Sequence, residues 1–141
     1  MREDIFSKLG LAEPKTWDDI MASVPVLQFN NMEVGLGRGT TDFATFIFQN
    51  GGEFWADNGM RVNFEANTTL ESFEYMVNMF TQYSLPLSFD ALTRFKTGEL
   101  PLFIGSYITY NTIQIYSPEI SGLWEFVQLP GVERVDEEGT K

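Results

Sequence analysis

Apolar residues follow helical spacing in some segments of the chain and alternate with polar residues in others. The most regular helical pattern lies at Thr68–Tyr83, where Thr68 and Glu71 have the spacing of a capping box. One side of this predicted helix is apolar and consists of Leu70, Phe73, Met76, Val77 and Phe80. Such a stripe is typical of a helix that packs against a core.

Capping residues and glycines delimit the other predicted elements. Thr16 and Asp19 have capping-box spacing, and Gly10 and Gly98 stand where helices are expected to end. Helices are predicted at Glu3–Leu9, from Thr16 to Ala22 or Ser23, from a cap at Thr40, Thr41 or Asp42 to Gln49, at Asp90–Thr97 and at Tyr107–Tyr116. Strands are predicted at Asn31–Gly37, Leu100–Ile104 and Leu123–Leu129, with a hairpin at Glu53–Asn63 that turns at Asp57-Asn58-Gly59.

The order of these elements indicates the fold class. Strands alternate with helices, which is typical of α/β proteins, and we expect a mixed sheet flanked by helices. The length of 141 residues suits one domain. We therefore predict one domain at residues 1–131, followed by a loose acidic tail at Val132–Lys141.

The amino-acid composition of the chain excludes several classes of function. The formal net charge is −11, whereas nucleic acids and anionic membranes require clusters of Lys and Arg, so no nucleic-acid partner is expected. The chain contains no Cys and no His, which excludes disulfides, thiol nucleophiles, Cys/His zinc sites and a Ser–His–Asp triad. No apolar run approaches the ~20 residues that span a bilayer, and the chain does not open with the pattern of a signal peptide.

Two patterns could carry chemistry but match poorly. Gly35–Gly39 lies between a predicted strand and a helix, as phosphate-binding loops do, yet its glycines are not spaced for a dinucleotide and no P-loop Lys follows. Paired carboxylates could make a glycosidase, and the candidates by residue type are Glu53, Asp57, Glu65, Asp90 and Glu99. Most of these stand beside glycines or at predicted helix ends, where capping and exposure to solvent explain them.

Aromatic residues after a predicted strand are better binding candidates. Tyr107 and Tyr110 follow Gly105-Ser106, directly after the strand at Leu100–Ile104. Ligands of α/β sheets commonly bind where a strand gives way to a helix, and tyrosine offers both a flat apolar face and a hydroxyl. Packing in the core is the alternative for both tyrosines.

Four phrases of the sequence occur in a recognisable order. They are "REDIFSKLGL" with "PKTWDDI", "FIFQNGGEFWADNG", "FKTGELPLFIGSYITYN" and "GLWEFVQLPG", and together they extend over Glu3–Gly131. Their order and spacing resemble family 1 extracellular solute-binding proteins of bacterial ABC importers, the maltose-binding protein type. The most specific parts are PKTW, which includes Trp17, and the phrase from Phe95 to Tyr107.

The resemblance implies a fold and an incomplete site. Members of this family have two α/β lobes joined by crossing strands, and the solute is trapped between the lobes. By this resemblance the chain covers mainly the second lobe of a longer protein. We therefore expect one lobe of the type II periplasmic-binding-protein-like fold, which performs no catalysis and needs neither a cofactor nor a metal ion.

The resemblance also implies which residues bind the solute. The family's stacking aromatic falls on Tyr107, and its polar and aromatic contacts fall on the loop and helix start at Arg38–Phe43, before "FQNGG". The predicted ligand-binding residues are Thr40, Thr41, Asp42, Phe43, Tyr107 and Tyr110. The maltose-binding type carries Glu and an aromatic residue at the helix start and Trp in place of Tyr107, so a solute other than maltose is expected. Asp42 could bond sugar hydroxyls or cap the helix, and both roles stay open.

The implied function is recognition of a solute, with a carbohydrate favoured, for an ABC importer whose permease subunits are partners of the full-length protein. That protein would be a monomer, either periplasmic or anchored outside the cell as a lipoprotein. A receptor for peptides or another polar solute would share the fold, and a carboxylate glycosidase is the alternative among enzymes. A protein-interaction module would use Trp55 and Trp124 as exposed aromatics, although core packing is favoured for both.

Overall fold

The computed structural model describes residues 1–133. Its helices are α1 (Glu3–Leu9), α2 (Trp17–Phe29), α3 (Thr40–Gln49), α4 (Asn67–Thr81), α5 (Ala91–Thr97) and α6 (Tyr107–Tyr116). Its strands are β1 (Val34–Gly35), β2 (Trp55–Ala56), β3 (Arg61–Val62) and β4 (Leu102–Phe103), and short 3-10 turns lie at Asp57–Gly59 and Pro118–Ile120. Most of the tail predicted at Val132–Lys141 lies outside the described residues.

The strands form two small sheets. β1 and β4 pair in parallel, with Val34 opposite Leu102. β2 and β3 pair antiparallel across the predicted hairpin turn, with Trp55 opposite Val62. Helices and strands alternate along the chain, so the predicted α/β class is confirmed, and its parallel and antiparallel pairings belong to separate sheets.

The chain divides into two compact units. The first consists of Met1–Leu36 with Leu85–Pro130, and the second of Gly37–Ser84 with residues 131–133. Large buried residues of the first unit are Phe6, Trp17, Ile20, Val24, Leu27, Val34, Phe95, Leu100, Leu102 and Ile113. In the second unit α3 packs against α4 and buries Phe46, Ile47, Met76 and Met79.

Several helix ends agree with the sequence predictions. α1 and α5 end at Gly10 and Gly98, which take left-handed backbone conformations with φ of +69° and +87°. Asp90 precedes α5 and accepts a hydrogen bond from the Thr93 amide at 3.1 Å, so it caps the helix. α6 has the predicted bounds. Among residues 1–133, no helix combines the length and the apolar character that a membrane crossing requires.

Helix α2 begins as predicted but extends further. The Thr16 hydroxyl accepts from the Asp19 amide at 3.1 Å, and the Asp19 carboxylate accepts from the Thr16 amide at 2.9 Å, which completes the capping box. The predicted end at Ala22 or Ser23 is wrong, because the helix continues through Pro25. Proline in a helix interior costs about 3 kcal/mol, and burial of apolar residues on both sides of Pro25 offsets this cost.

The predicted strand at Asn31–Gly37 begins too early. The amides of Asn31 and Met32 donate to the carbonyls of Gln28 and Leu27, at 3.0 and 2.9 Å. These bonds close the C-terminus of α2 in the Schellman pattern, so both residues belong to the helix end. The paired part of the strand is reduced to Val34–Gly35.

The strand predicted at Leu123–Leu129 does not form. Met1 and Glu125 exchange two backbone hydrogen bonds, of 2.8 and 2.9 Å. From Phe126 to Pro130, however, the segment borders a cavity of about 310 Å³ that residues 102–105 also line. A strand needs a neighbouring backbone to satisfy its ladder, and within residues 1–133 this segment pairs with Met1 through Glu125 alone.

Helix α4 differs from its prediction at its start and on its buried side. The helix begins one residue early, with Ala66 at the N-cap position and no side-chain cap, so the predicted capping box of Thr68 and Glu71 is wrong. Leu70 and Phe73 were expected to pack inward, yet they are 55% and 52% exposed.

The first turns of α4 bury the small polar residues Thr69 and Ser72 instead, and its later turns bury Met76 and Met79. Ser72 is fully buried and its hydroxyl donates to the Thr68 carbonyl at 2.6 Å. The same hydroxyl accepts from the Asn50 amide nitrogen at 2.9 Å, at the end of α3. Because a buried hydroxyl with both bonds made costs little, α4 can pack a small-residue face against α3.

Candidate functional site

Tyr107 and Tyr110 lie in the first turn of α6, directly after β4. The backbone of Ser106 is extended and precedes the helix at the N-cap position. Tyr107 is therefore the first helical residue, and Tyr110 lies three residues later on the same side of the helix. Tyr107 is 66% exposed and Tyr110 is half-buried, so the core-packing alternative does not describe Tyr107.

The two tyrosines belong to an aromatic cluster formed by Tyr107, Tyr110, Trp124 and Phe126. The tyrosine rings stack with centroids 5.6 Å apart and planes 11° apart. Phe126 meets both rings edge-on, at 6.3 and 5.7 Å. Trp124 meets Tyr110 at 5.4 Å. Offset stacks and edge-to-face contacts at these distances stabilise one another, so the cluster presents a preformed surface.

The aromatic cluster rests on buried residues of the first unit. Trp124 is half-buried and contacts the Phe95 ring at 5.9 Å, and Phe95 in turn contacts Phe103 at 5.2 Å. Phe95 is 1% exposed and packs with Ile113 and Ile120. Trp124 thus packs against the core, as expected from the sequence, and it holds the exposed rings in place.

Hydrogen-bonding groups accompany the exposed rings. The Tyr110 hydroxyl accepts from Gln114 Nε2 at 3.3 Å. Within residues 1–133, the Tyr107 hydroxyl makes no side-chain hydrogen bond. A flat exposed ring with an available hydroxyl can stack on the apolar face of a ring-shaped solute and bond one of its polar groups.

The other predicted ligand-binding residues begin α3 in the second unit. The predicted N-cap at Thr40, Thr41 or Asp42 is wrong, because Gly39 occupies that position. Asp42 lies in the first turn, and its carboxylate accepts from the Gly39 amide at 2.9 Å. A Cβ at Gly37 would lie within 3 Å of this carboxylate, so only glycine leaves it room. Of its two open roles, Asp42 is observed in the capping role.

The glycine loop is unsuited to phosphate for the same reason. Phosphate loops use free amides at a helix N-terminus to hold an anion. Here the Gly39 amide already donates to the Asp42 carboxylate, whose negative charge would repel a phosphate.

Thr40, Thr41 and Phe43 complete this helix start. Both threonines are exposed. Phe43 is partly buried and contacts the rings of Phe73 at 5.7 Å and Phe54 at 6.5 Å. An apolar cavity of about 220 Å³ is lined by Phe43, Phe64, Thr69, Leu70 and Phe73.

The predicted site residues thus fall into two groups. Tyr107 and Tyr110 belong to the first unit and touch each other, and Thr40–Phe43 belong to the second unit and share one helical turn. That either group binds a solute remains a prediction. The sequence did not predict a binding role for Phe126, although its spacing of two residues from Trp124 in an extended segment was a usable signal.

Four of the five carboxylates considered for glycosidase chemistry, Asp57, Glu65, Asp90 and Glu99, have structural partners. Asp57 pairs with Arg61 at 3.1 Å, and Arg94 pairs with Glu99 at 3.3 Å. Hydrogen bonds from Thr93 lower the pKa of Asp90, which favours the charged form and not a general acid. Among residues 1–133, no group of three acidic residues could hold a metal ion.

Solved structures show which fold the chain shares. An ABC-transporter solute-binding protein of Thermotoga lettingae, bound with α-D-tagatose, matches 94% of this chain with a TM-score of 0.79 and 20% identity. The maltose-bound MalE3 of T. maritima matches 92% with a TM-score of 0.74 and 21% identity. The chain spans 38% and 37% of the lengths of these two proteins.

Sequence comparison supplies the family. No curated protein matches the chain. The sequence profile of the family described as bacterial extracellular solute-binding protein matches residues 1–117, which is most of the chain. This match agrees with the structural likeness and confirms the resemblance seen in the four sequence phrases. The chain therefore belongs to the family of bacterial extracellular solute-binding proteins.

Proposed function

We propose that this chain recognises a carbohydrate as part of the receptor of an ABC importer. The stacked pair of Tyr107 and Tyr110 is the observation that carries the proposal. Sugars present apolar C–H faces that stack on aromatic rings and hydroxyls that need hydrogen-bond partners, and this pair offers both kinds of group. The two solved relatives were found with tagatose and with maltose, which supports a sugar as the solute class here.

The positions and partners of the acidic residues agree with solute binding without catalysis. A glycosidase of the common type needs two carboxyl groups facing the substrate about 5–10 Å apart. One acidic residue, Glu125, lines a pocket together with Tyr110, Trp124 and Phe126, which is one carboxyl group and not the pair that such an enzyme needs. Asp57, Asp90 and Glu99 are held by neighbouring side chains or by a helix start. These contacts support a receptor that binds its solute and releases it unchanged.

The full-length protein gives the proposal its context. We infer that residues 1–131 form most of the second lobe and that the solute is also held by a further lobe of a longer, monomeric protein. That protein would deliver the solute to permease subunits, and it would lie in the periplasm or be lipid-anchored outside the cell. The helix start at Thr40–Phe43 stays a candidate for further solute contacts.

A binding experiment on the chain itself tests the role of the aromatic cluster. NMR titration with mono- and oligosaccharides should shift resonances of Tyr107 and Trp124, with dissociation constants of about 1 mM because one surface cannot enclose a ligand. Tyr107→Ala should weaken binding about tenfold, as expected for loss of one stacking contact of about 1.4 kcal/mol.

The matched control is Tyr116→Ala, which removes a 72% exposed tyrosine from the far end of the same helix. It should leave the affinity unchanged. Equal losses from both variants, or saccharide shifts confined to the second unit, would contradict the assignment to the aromatic cluster. Binding of short peptides without any saccharide would replace the carbohydrate by a peptide as the solute class.

A further inference from the structure

The chain contains two Asn-Gly pairs, Asn50-Gly51 and Asn58-Gly59. This dipeptide is the one most open to attack of a backbone nitrogen on the preceding side-chain amide, because glycine has no side chain to hinder the approach. The two pairs stand in different surroundings, so the structure separates a reactive pair from a protected one.

Asn58 lies at the tip of the hairpin between β2 and β3. It is exposed and takes a left-handed conformation with φ of +54°. Gly59 follows with φ of +87°, and nothing lies within 4 Å of the place where its Cβ would be. No other part of the described chain therefore crowds the Gly59 backbone on the side where a Cβ would stand.

Asn50 lies at the C-cap of α3 and is held at two points. Its side-chain nitrogen donates to the Ser72 hydroxyl at 2.9 Å. The Gly51 amide, which would have to attack, donates to the Phe48 carbonyl at 3.0 Å. Both reacting groups must break these hydrogen bonds, and the helix end must open, before they can meet.

We propose that Asn58 is a site of spontaneous deamidation and that Asn50 is protected from it. The Gly59 backbone nitrogen attacks the Asn58 side-chain carbonyl carbon and loses its proton. The new C–N bond closes a succinimide ring, and the side-chain nitrogen leaves as ammonia. Water then opens the ring at either carbonyl, which gives aspartate or isoaspartate, with no oxidation or reduction.

The product would alter the hairpin. A new carboxylate at position 58 would adjoin Asp57, which already pairs with Arg61. Isoaspartate also adds one carbon atom to the main chain of a tight turn. Because the turn fixes the register of Trp55 opposite Val62, the isoaspartate product should weaken this pairing.

Incubation of the intact chain at neutral and mildly alkaline pH, followed by peptide mass mapping, tests the proposal. The acid product should accumulate at position 58 at least about tenfold faster than at position 50, since each ~1.4 kcal/mol of opening cost slows reaction tenfold. The rate should rise with pH because the attacking nitrogen must lose its proton. Labelling by an isoaspartyl methyltransferase identifies the second product.

Two controls keep the result interpretable. In denaturant both asparagines should react at similar rates, which shows that folding causes the difference. Ser72→Ala should accelerate reaction at Asn50 and leave Asn58 unchanged. Similar rates at both sites in the folded chain, or reaction at Asn50 first, would overturn the proposal, as would no product at Asn58 while the denatured chain reacts.

Discussion

The candidate binding residues of the two units differ in how available they are to a ligand. In the first unit, the Tyr107 ring is 66% exposed, and the aromatic cluster to which it belongs rests on the buried Phe95 ring. In the second unit, the most polar candidate, Asp42, is bonded to the Gly39 amide and serves its own helix. One group is held by the core and available to a ligand, and the other is partly occupied by the fold.

This difference teaches how to weigh polar residues at helix starts. A helix N-terminus has unpaired amides, and a nearby carboxylate satisfies them before any ligand arrives. An exposed aromatic pair does not need further partners within the protein, because stacking leaves one face of the outer ring open to a ligand. Exposed stacked rings are therefore the more informative sign of binding in this chain.

Removal of the support beneath the aromatic cluster should have the largest effect. Phe95→Ala should lower the free energy of unfolding by about 3–5 kcal/mol, because it removes a buried ring and leaves a cavity. Urea unfolding followed by tryptophan fluorescence measures the loss. Phe46→Ala, the matched deletion of a buried ring in the second unit, should leave saccharide binding at Tyr107 intact.

A loss below about 1 kcal/mol for Phe95→Ala would show that the first unit is not stabilised by this core. A loss of saccharide binding in the folded Phe46→Ala variant would show that the aromatic cluster does not act independently of the second unit.

A smaller effect is expected at the start of α3. Asp42→Ala should destabilise the chain by about 1 kcal/mol through loss of the bond to the Gly39 amide. Asp42→Asn keeps an acceptor oxygen and should lose less. Thermal unfolding and saccharide titration of both variants separate capping from binding. A fall in affinity without a fall in stability would make Asp42 a solute contact and reverse the comparison.

The smallest expected effect is a loss of folding stability at low pH. The Arg2 guanidinium donates two hydrogen bonds of 2.8 Å to the Asp4 carboxylate and lowers the pKa of that carboxyl below its ordinary value. The bond therefore stabilises the folded state above about pH 4 and is lost as the pH falls through the folded-state pKa. Arg2 also donates to the Phe95 carbonyl at 3.0 Å, so the support of the aromatic cluster is involved.

Unfolding of Asp4→Asn at several pH values tests this linkage. The variant should be less stable than the parent at pH 6, and the difference should shrink below pH 4. Glu3→Gln, which changes the exposed neighbouring acid, is the control and should show no such convergence. A difference that is independent of pH would show that the carboxylate charge contributes nothing.

The sequence predicted local features better than contacts made over long distances. The bounds of α1 and α6, the capping box of Thr16 and Asp19, and the hairpin turn follow from residues within a few positions of one another. The predicted end of α2 was too early, because the helix continues through Pro25 with Val24 and Leu27 buried, and local patterns do not show that burial. The strand predicted at Leu123–Leu129 was wrong, because alternation of side chains cannot show whether a neighbouring backbone is present.

For the candidate site too, the sequence predicted the local arrangement but not the contacts between distant residues. Tyr107 and Tyr110 stack as helical spacing allows. The contacts of Trp124 and Phe126 with Tyr110 depend on the path of a later segment of the chain, which local sequence patterns do not encode. The role of Asp42 needed the position of the Gly39 amide, and the sequence could not choose between a cap and a ligand contact.

The first unit is built from two separate stretches of the chain, and this affects the order of folding. Strand β1 pairs with β4, and Arg2 bonds a residue 93 positions away, while the whole of Gly37–Ser84 lies between the two parts of the unit. Contacts between distant residues form slowly because a long loop must close first. On the ribosome, α3 and α4 can meet before β4 has been synthesised, so the surface that carries Tyr107 should be among the last parts of the chain to mature.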